Sequence, residues 1–428
     1  MIKPIHRYSC ILIDFWHKFA ERNFTIIRRQ NCLHAPKLVL GIETSCDDTG
    51  IAIVDQNGQI ISEVCASQTA LHVSNGGIIP PVARDLHKTV IDRCVSNCFH
   101  NANVLPSDIA AIAVTVKPGL PLSLLVGCNY AKKLSAKYNL PVIPIHHMEA
   151  HALTALIQYP TKLSFPFVTL LISGGHSIIC FVNGIDDFRL MGQSVDDAPG
   201  DIMDKTARAL KLKNLGPPFN LISGGAAIEL MAKNGDPFAY FSRITSYPLY
   251  SSRHRTSIQR KIRQLEIDNQ TSPDEVLTEA PDLCASILFV ISFILIKRLQ
   301  RAFQYLDEKE LLLPTSDYDQ RKLVVSGGCA ANRFIAGMLK NYCYHEAIDL
   351  FIPTPKLCTD NGVMIAWNGM LKLQNEKLFP HFILRNKKFI QMLDIDSKAK
   401  LGHDISRDVT NANIKCERID IKSFVNFL

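Results

Sequence analysis

The stretch "KLVLGIETSCDDTGIAIVD", residues 37–55, consists of an apolar segment, a polar turn and a second apolar segment. The stretch "FVTLLISGGHSIICFV", residues 167–182, repeats this plan later in the chain. Each pattern predicts a β-hairpin with small or hydroxyl-bearing residues at its tip. Two halves that each begin with such a hairpin, with helical segments between them, predict a duplicated α/β fold with a ligand cleft between two lobes.

A third apolar strand, "KLVVSGGCAANRFI" (322–335), ends in Ser-Gly-Gly and leads into a predicted helix. The same tripeptide occurs at 173–175 and 223–225. A Gly-Gly step lets backbone amides approach an anionic or carbonyl group closely. The sequence contains neither a GxxxxGK[ST] loop nor a GxGxxG fingerprint, so Walker-type ATPase and Rossmann interpretations lose their main support.

The composition indicates a folded, mildly basic protein. The chain has 428 residues, of which 47% are hydrophobic and 20% charged, and its formal charge is +7. Residues 1–36 hold six bases and two acids, so they carry +4 and the remainder carries +3. This charge permits contact with nucleic acid through a local patch and does not require it.

The first 36 residues are basic, poor in acids and mixed with apolar residues. This composition favours a mitochondrial transit peptide over a disordered tail or a secretory signal. The thirteen cysteines contain no CxxC pair, which favours reduced thiols in an intracellular compartment.

The longest apolar run, "CASILFVISFILI" (284–296), is shorter than the roughly 20 residues that span a bilayer. It predicts a buried helix, and no membrane span is expected. The sequence Ser272-Pro273-Asp274-Glu275 resembles a helix start and predicts that a helix begins there. Residues 376–428 are charged and weakly patterned, and we treat them as a C-terminal appendage of unknown structure.

The segment "IPIHHMEAHALTA" (143–155) places His147 and His151 four positions apart, on one face of a helix. Glu149 then lies on the other side, whereas in HExxH the glutamate directly follows the first histidine, so a protease of that class loses its general base. A histidine pair alone is more often structural than ligating. In "LCTDNGVMIAW" (357–367), Asp360 precedes a helix-like run and is either a helix cap or a third ligand for Zn²⁺ or Fe²⁺.

Three further charged groups allow both a functional and a structural interpretation. Glu43, Asp47 and Asp48 at the first hairpin tip can bind a cation or act as bases, or can simply be solvated. Acids ahead of a basic helix-like run can complement a helix dipole; they are Asp196, Asp197, Asp201 and Asp204. The densest basic stretch can bind phosphates or form a solvated face; it comprises Arg253, His254, Arg255, Arg260, Lys261 and Arg263. No aromatic residues are interleaved with these bases, so base stacking is not indicated.

Eight segments between about residue 38 and about residue 372 together resemble a known family. They are, in order, "GIETSCDDTGIAIVD", "GGIIPPVARDLH", "HHMEAHALTA", "LLISGGHS", "DDAPGDIMDKTAR", "SGGAAIE", "VVSGGCAANR" and "CTDNGVMIAW". Each is weakly specific, but eight in the same order are highly specific. The chain resembles the tRNA N6-adenosine threonylcarbamoyltransferases, most closely their mitochondrial members.

This resemblance implies an actin-like, Hsp70-like (ASKHA, ribonuclease-H-like) bilobal α/β fold with a central ligand cleft. The first lobe would comprise 37–152 with about 350–375, and the second 153–349. The family transfers a threonylcarbamoyl group from threonylcarbamoyl-AMP to the exocyclic amine of the adenosine 3′ of the anticodon, in tRNAs that read ANN codons.

Carried over position by position, the resemblance implies one divalent metal ion, Zn or Fe, held by His147, His151 and Asp360. The substrate-binding positions are Leu171, Ile172, Ser173, Gly174, Gly175, Asp204, Gly225, Glu229, Ala331, Asn332 and Thr359. No side-chain nucleophile is required. The partners implied are tRNA, a separate synthase that supplies the threonylcarbamoyl-AMP, and a second copy of the chain in a homodimer; the location implied is the mitochondrial matrix.

The sequence departs from the family pattern at 223–226, "SGGA" in place of PGGP, and at 250–258, "YSSRHRTSI" in place of FSFSGLK. Three other hypotheses stay open at this point. They are an ATP-dependent kinase or ATPase of the same fold, a metallopeptidase, and an RNA-binding or scaffold protein without activity.

Overall fold

The computed structural model describes residues 37–194, 197–241, 252–311, 321–415, 419–420 and 423–425. The predicted transit peptide, residues 1–36, lies outside the described residues, as do Asp196 and the start of the 250–258 stretch.

The first of two β-sheets follows from the opening hairpin. Its strands are β1 (Leu38–Glu43), β2 (Thr49–Asp55), β3 (Ile60–Ala66), β4 (Ile109–Lys117) and β5 (Val142–His146). Their order in the sheet is β3-β2-β1-β4-β5, with β1 antiparallel to β2 and parallel to β4. Every side chain of β1 and β2 is buried, as expected for strands covered on both faces.

The second sheet repeats this plan. Its strands are β6 (Phe167–Ile172), β7 (Ser177–Val182), β8 (Phe188–Gln193), β9 (Arg321–Ser326), β10 (Ile348–Phe351) and β11 (His403–Asp404). Their order is β10-β9-β6-β7-β8-β11, in which β6 is antiparallel to β7 and parallel to β9. Apart from the added β11, both sheets have the same order and the same strand directions. The predicted duplicated α/β fold, of the actin-like class, is therefore confirmed, and so are both hairpins.

Helices join and cover the strands. They are α1 (Thr69–Ser74), α2 (Pro80–Ala102), α3 (Pro121–Tyr138), α4 (His147–Leu153), α5 (Ala155–Gln158), α6 (Pro199–Ala209), α7 (Gly224–Ala232), α8 (Ser252–Asp268), α9 (Ala280–Glu308), α10 (Arg333–His345), α11 (Pro355–Cys358), α12 (Gly362–Gln374), α13 (Lys387–Met392) and α14 (Ser406–Asn411). Short 3₁₀ turns occur at Pro106–Asp108, Leu212–Leu215, Gly328–Ala331 and Pro380–Phe382.

Helix α12 packs unusually close to the first sheet because glycines face each other at the contact. A Cβ added to Gly41 would lie 2.3 Å from the Gly362 carbonyl oxygen and 2.4 Å from the Ala366 nitrogen. A Cβ added to Gly50 would lie 2.6 Å from the Gly362 nitrogen. Only residues without a side chain permit this approach of backbone to backbone. The position of α12 relative to the sheet is therefore set by these glycines.

The apolar run at 284–296 forms part of α9, as predicted. Among the described helices, α9 has the length and apolar composition that crossing a membrane requires. However, 72% of its most apolar 18-residue segment is buried inside the protein. Such burial is what a core helix of a globular protein shows.

The predicted helix start at Ser272 is wrong, because α9 begins at Ala280. Ser272 and Glu275 form a local turn instead, in which the Ser272 nitrogen donates to Glu275 Oε2 at 3.3 Å. The capping signal is satisfied within that turn, so it does not require a helix to follow.

The C-terminal segment, for which the sequence predicts no structure, contacts both sheets. The Leu384 nitrogen donates to the Val142 oxygen on β5 at 2.8 Å, and the Asp396 nitrogen donates to the Val116 oxygen on β4 at 2.9 Å. Further on, β11 pairs with β8. Residues 384–404 thus run from the edge of the first sheet to the edge of the second.

Candidate metal centre and nucleotide pocket

Strand β5 leads directly into α4, which places two histidines on one helical face. His147 and His151 are buried, and their ring centroids lie 4.6 Å apart with perpendicular planes. Glu149 lies on the other side of α4, where its Oε2 accepts from Lys372 Nζ at 2.9 Å. The predicted geometry of both histidines and of Glu149 is confirmed, and Glu149 is not available as the base of a protease.

Asp360 completes the group from a position 209 residues away from His151. Its Oδ1 lies 3.0 Å from His151 Nε2 and 3.4 Å from His147 Nε2. The alternative that Asp360 caps α12 is wrong, because the cap is Asn361, whose side chain accepts from the Met364 nitrogen at 2.8 Å. The neighbouring cap leaves the Asp360 carboxylate free to face the histidines.

The three side chains fit one divalent cation. Their ligand atoms all lie within 4.8 Å of one another. Nitrogen and oxygen ligands about 2.0–2.2 Å from one ion lie about 3.0–3.5 Å apart when they subtend 90–110°. The Asp360 carboxylate meets this spacing with both histidines, and a quarter of its side chain is exposed, which leaves access for a substrate.

Glu43 contacts the ring nitrogen of His147 that faces away from Asp360. His147 Nδ1 donates to Glu43 Oε2 at 3.2 Å and lies 3.2 Å from Ser45 Oγ, so Nε2 is the nitrogen that faces Asp360. Glu43 also accepts from the Ser45 nitrogen and from Thr115 Oγ1. A carboxylate in this place fixes the tautomer and orientation of a ligating histidine.

The interpretation of Glu43 as part of a solvated hairpin tip is therefore wrong, because the residue is fully buried. Its supporting role was missed in the sequence. The available signal was its place as the last residue of a continuous apolar strand.

The charges in this group favour a bound cation. Burial alone would lower the pKa of His147, but the carboxylates of Asp360 and Glu43 raise it to about 9. Burial likewise opposes ionisation of Asp360, yet the charge of His147 and the hydrogen bond of His151 hold its pKa below the ordinary value. Burial lowers the pKa of His151, which is neutral at pH 7. A proton on His147 thus offsets two buried carboxylates, a role that a metal ion would take over.

Two of the Ser-Gly-Gly turns meet at the ends of neighbouring strands. Leu171 on β6 pairs with Ser326 on β9. Gly327 follows with φ of +95°, and a Cβ there would lie 2.4 Å from the Ile172 oxygen. Leu171 and Ile172 are fully buried, so only their main chain can reach a ligand.

The tip of the β6–β7 hairpin is open. An added Cβ at Gly174 or Gly175 would meet no atom within 4 Å, so space is available for a ligand above the turn. The Ser173 oxygen accepts from the Gly200 nitrogen at 3.2 Å, which fixes the turn against the start of α6. His176 lies in the same tip. Burial and, to a smaller extent, the charge of His147 lower the pKa of its imidazole to about 4. Strand β6, which ends at this turn, packs against α4, which carries His147 and His151, so the turn and the histidine group lie on neighbouring elements.

The remaining pocket positions converge on α6, α7 and α10. Asp204 Oδ1 accepts from the Gly225 nitrogen at 3.1 Å, and Glu229 Oε1 accepts from the Arg333 nitrogen at 3.1 Å. Asn332 Oδ1 caps α10, while its Nδ2 is buried and has no partner in the described part of the chain. Ala331 ends the 3₁₀ turn against which α11 packs, and Thr359 directly follows α11. This buried amide donor is available to a ligand.

Local partners contact three of the other acids named from the sequence. Asp48 Oδ1 accepts from the Gln68 nitrogen at 3.4 Å. Asp197 and Asp201 both bind Lys205 Nζ. The Asp48 carboxyl is partly buried, and burial raises its pKa to about 6.

Comparison with known proteins identifies the family. The family model TsaD, described as tRNA N6-adenosine threonylcarbamoyltransferase, matches residues 59–367. The chain belongs to this family. It is 43% identical over 398 residues to the mitochondrial tRNA N6-adenosine threonylcarbamoyltransferase of Xenopus tropicalis, covering 91% of this chain and 94% of that protein. It is 40% identical over 393 residues to the protein of the same name from Homo sapiens, covering 90% of this chain and 91% of that protein.

Component A of the (R)-2-hydroxyglutaryl-CoA dehydratase of Acidaminococcus fermentans is similar at 14% identity and a TM-score of 0.46, over 79% of this chain and 98% of that chain. The strand order described above, rather than this similarity, establishes the fold of the TsaD-family chain.

Proposed function

We propose that this protein transfers the threonylcarbamoyl group from threonylcarbamoyl-AMP to the exocyclic amine of the adenosine 3′ of the anticodon in tRNAs that read ANN codons, in mitochondria. The observation that supports this most directly is the His147–His151–Asp360 group beside an open Ser-Gly-Gly turn. It occurs in a chain that belongs to the family of these transferases.

We propose that His147, His151 and Asp360 hold one divalent ion, either zinc or iron. A bound ion would supply Lewis-acid stabilisation of negative charge on the acyl donor. The hydrogen bond from His147 Nδ1 to Glu43 keeps Nε2 available as the ligand atom.

The pocket residues would position the adenylate. The amides of Gly174 and Gly175 can donate to its phosphate or carbonyl oxygens, whereas the Ser173 amide donates to the His176 oxygen at 2.8 Å and holds the turn in shape. Asp204 and Glu229 each use one carboxylate oxygen internally, which leaves the other oxygen to accept from ribose hydroxyls. The unpartnered Nδ2 of Asn332 can donate to the nucleoside.

In the reaction the adenosine amine attacks the carbamoyl carbon, a C–N bond forms, and the bond from that carbon to the phosphate oxygen breaks. AMP leaves with the bonding pair, and the amine loses one proton to solvent. Because an aromatic amine is a weak nucleophile, positioning of the two substrates should supply most of the rate acceleration. No covalent intermediate on a side chain is needed.

The cellular setting follows from the same proposal. Residues 1–36 would direct the chain to the mitochondrial matrix and would be removed there. A separate synthase would supply threonylcarbamoyl-AMP, and the protein would act as a homodimer. A kinase or ATPase of the same fold would leave the His–His–Asp group without a role, and a metallopeptidase would lack the base that Glu149 cannot provide.

The test is to incubate the full chain with threonylcarbamoyl-AMP and unmodified tRNA that reads an ANN codon, and to detect the modified nucleoside by mass spectrometry. A tRNA with guanosine 3′ of its anticodon serves as the substrate control and should stay unmodified. His147→Ala and Asp360→Ala should each abolish product, whereas His100→Ala, at an exposed histidine on α2, should not. Absence of product from well-folded wild-type protein would refute the proposal.

A further inference from the structure

A groove on the second half of the molecule combines bases with aromatic rings. It is a cavity of about 430 Å³. Its lining residues are Tyr240, Phe241, Ser257, Arg260, Lys261 and Gln264. We call it the α8 groove, because four of the six residues belong to that helix.

Helix α8 presents its basic residues to solvent because its other face is anchored in the core. Ile258, Ile262 and Leu265 are buried at helical spacing. Arg260 and Arg263 are exposed, and no carboxylate pairs with either of them among the described residues. Two guanidinium groups are therefore available to a polyanion.

The aromatic wall of the groove comes from a different part of the chain. The Tyr240 backbone nitrogen donates to Ser286 Oγ on α9 at 3.1 Å, which fixes the tyrosine on the core. Lys261 Nζ lies 5.2 Å from the centroid of the Tyr240 ring, and the centroid of the Phe241 ring lies 6.3 Å from the same point. The sequence showed no aromatic residues among these bases, but the tertiary structure places two beside them.

Aromatic rings beside Arg and Lys are the combination that binds single-stranded nucleic acid. The rings stack on bases, whose π-faces are present in every nucleotide, and the cations neutralise the phosphates. An acidic protein surface would use the cations but would give the rings no planar partner.

The groove is also close to the proposed nucleotide pocket. Helix α8 packs against α6, which carries Asp204 and begins on the Ser173–Gly175 turn. Lys211, two residues after the end of α6, binds Glu266 on α8 at 2.6 Å and fixes the two segments together. Packed helices lie about 8–10 Å apart, so a strand of a few nucleotides can span from the groove toward the pocket.

We propose that the α8 groove binds the tRNA substrate through the phosphates and one unpaired base of the single-stranded region around the anticodon. This inference rests on the proposed function, since it assigns a docking surface to the substrate of that reaction. Arg260, which lines the groove, and Arg263, an exposed residue one turn further along α8, would contact phosphates, and Tyr240 would stack on the base.

The test measures binding of fluorescently labelled, unmodified tRNA to the full chain by anisotropy. Arg260→Glu with Arg263→Glu should weaken binding about tenfold or more at low salt, and should make the slope of log Kd against log salt less steep by roughly 0.7–0.9 for each phosphate that the variant no longer neutralises. Tyr240→Ala should weaken binding about tenfold. Lys387→Glu with Lys388→Glu, at exposed lysines on α13, is the matched control with the same change in net charge and should leave binding close to wild type.

Kinetics separate this inference from the proposed function. In wild-type protein the transfer assay tests the function alone, and a lack of product would contradict only that proposal. In the Arg260→Glu, Arg263→Glu variant, the KM for tRNA should rise about tenfold, with the KM for threonylcarbamoyl-AMP and the bound metal unchanged. If this variant binds tRNA as tightly as the Lys387→Glu, Lys388→Glu control, or if both bind tRNA equally weakly, the groove is not the docking surface.

Discussion

Substitution of Gly41 by alanine tests whether the sheet–helix contact positions the metal group. The added Cβ would lie 2.3 Å from the Gly362 oxygen and 2.4 Å from the Ala366 nitrogen. Ordinary contact requires about 3.4 Å or more, so α12 must move away from β1 by about 1 Å. Both clashing atoms belong to the backbone, so a change of side-chain rotamer cannot relieve the contact.

This movement should have two measurable effects. Overpacking of a well-packed interface costs about 1–3 kcal/mol, which urea denaturation should show as a lower free energy of unfolding. Asp360 lies two residues before α12, and its 3.0 Å contact with His151 should lengthen by a similar amount. We expect the affinity for Zn²⁺, measured by competition with a chromogenic chelator, to fall about tenfold or more, as it does when the support of a ligand is disturbed.

Gly184→Ala is the matched control, because a Cβ there meets no atom within 4 Å and the residue lies in the turn between β7 and β8, outside the contact of α12 with the first sheet. Its stability and Zn²⁺ affinity should stay near those of wild type. If Gly41→Ala binds Zn²⁺ as tightly as Gly184→Ala and is equally stable, the close contact does not set the position of Asp360.

Three further predictions concern the charges around the group. Glu43→Gln keeps the shape of the side chain but removes its charge, so Zn²⁺ affinity measured by calorimetry should fall about 10–100-fold; unchanged affinity would show that Glu43 only packs. Metal loading should also depend on pH, because the pKa of His147 is about 9 and the ion must displace the proton on this residue. The apparent Zn²⁺ affinity should therefore rise about tenfold per pH unit from pH 7 to about 9 and then level off. A flat profile over this range would contradict a protonated His147. Finally, Lys372→Ala should lower the free energy of unfolding by about 3–5 kcal/mol, since it leaves the largely buried Glu149 without its partner. In urea denaturation, the double variant Lys372→Ala with Glu149→Gln should be more stable than Lys372→Ala alone. Equal stability of the two variants would mean that the loss of the ion pair does not cause the destabilisation.

The sequence by itself determined the features that depend on local periodicity. In residues 37–55 and 167–182, two apolar segments separated by a polar turn specified each hairpin, and the uninterrupted apolar run at 284–296 specified a buried helix. The spacing of His147 and His151 placed both side chains on one face, because a helix repeats every 3.6 residues. The same repeat places Glu149, which is two residues from each histidine, on the other side of the helix.

Only the tertiary structure decided which distant residues meet. Whether Asp360 caps a helix or faces the histidines depended on Asn361 taking the cap and on three glycines bringing α12 close to the sheet. The start of α9 at Ala280, rather than at Ser272, depended on where the chain enters the core, which a capping pattern does not contain. The contact of Glu43 with His147 and that of Tyr240 with Lys261 arise between segments that are far apart in the chain. Local patterns specify the conformation of a segment, but side chains from separate segments come together only when the sheets and helices pack.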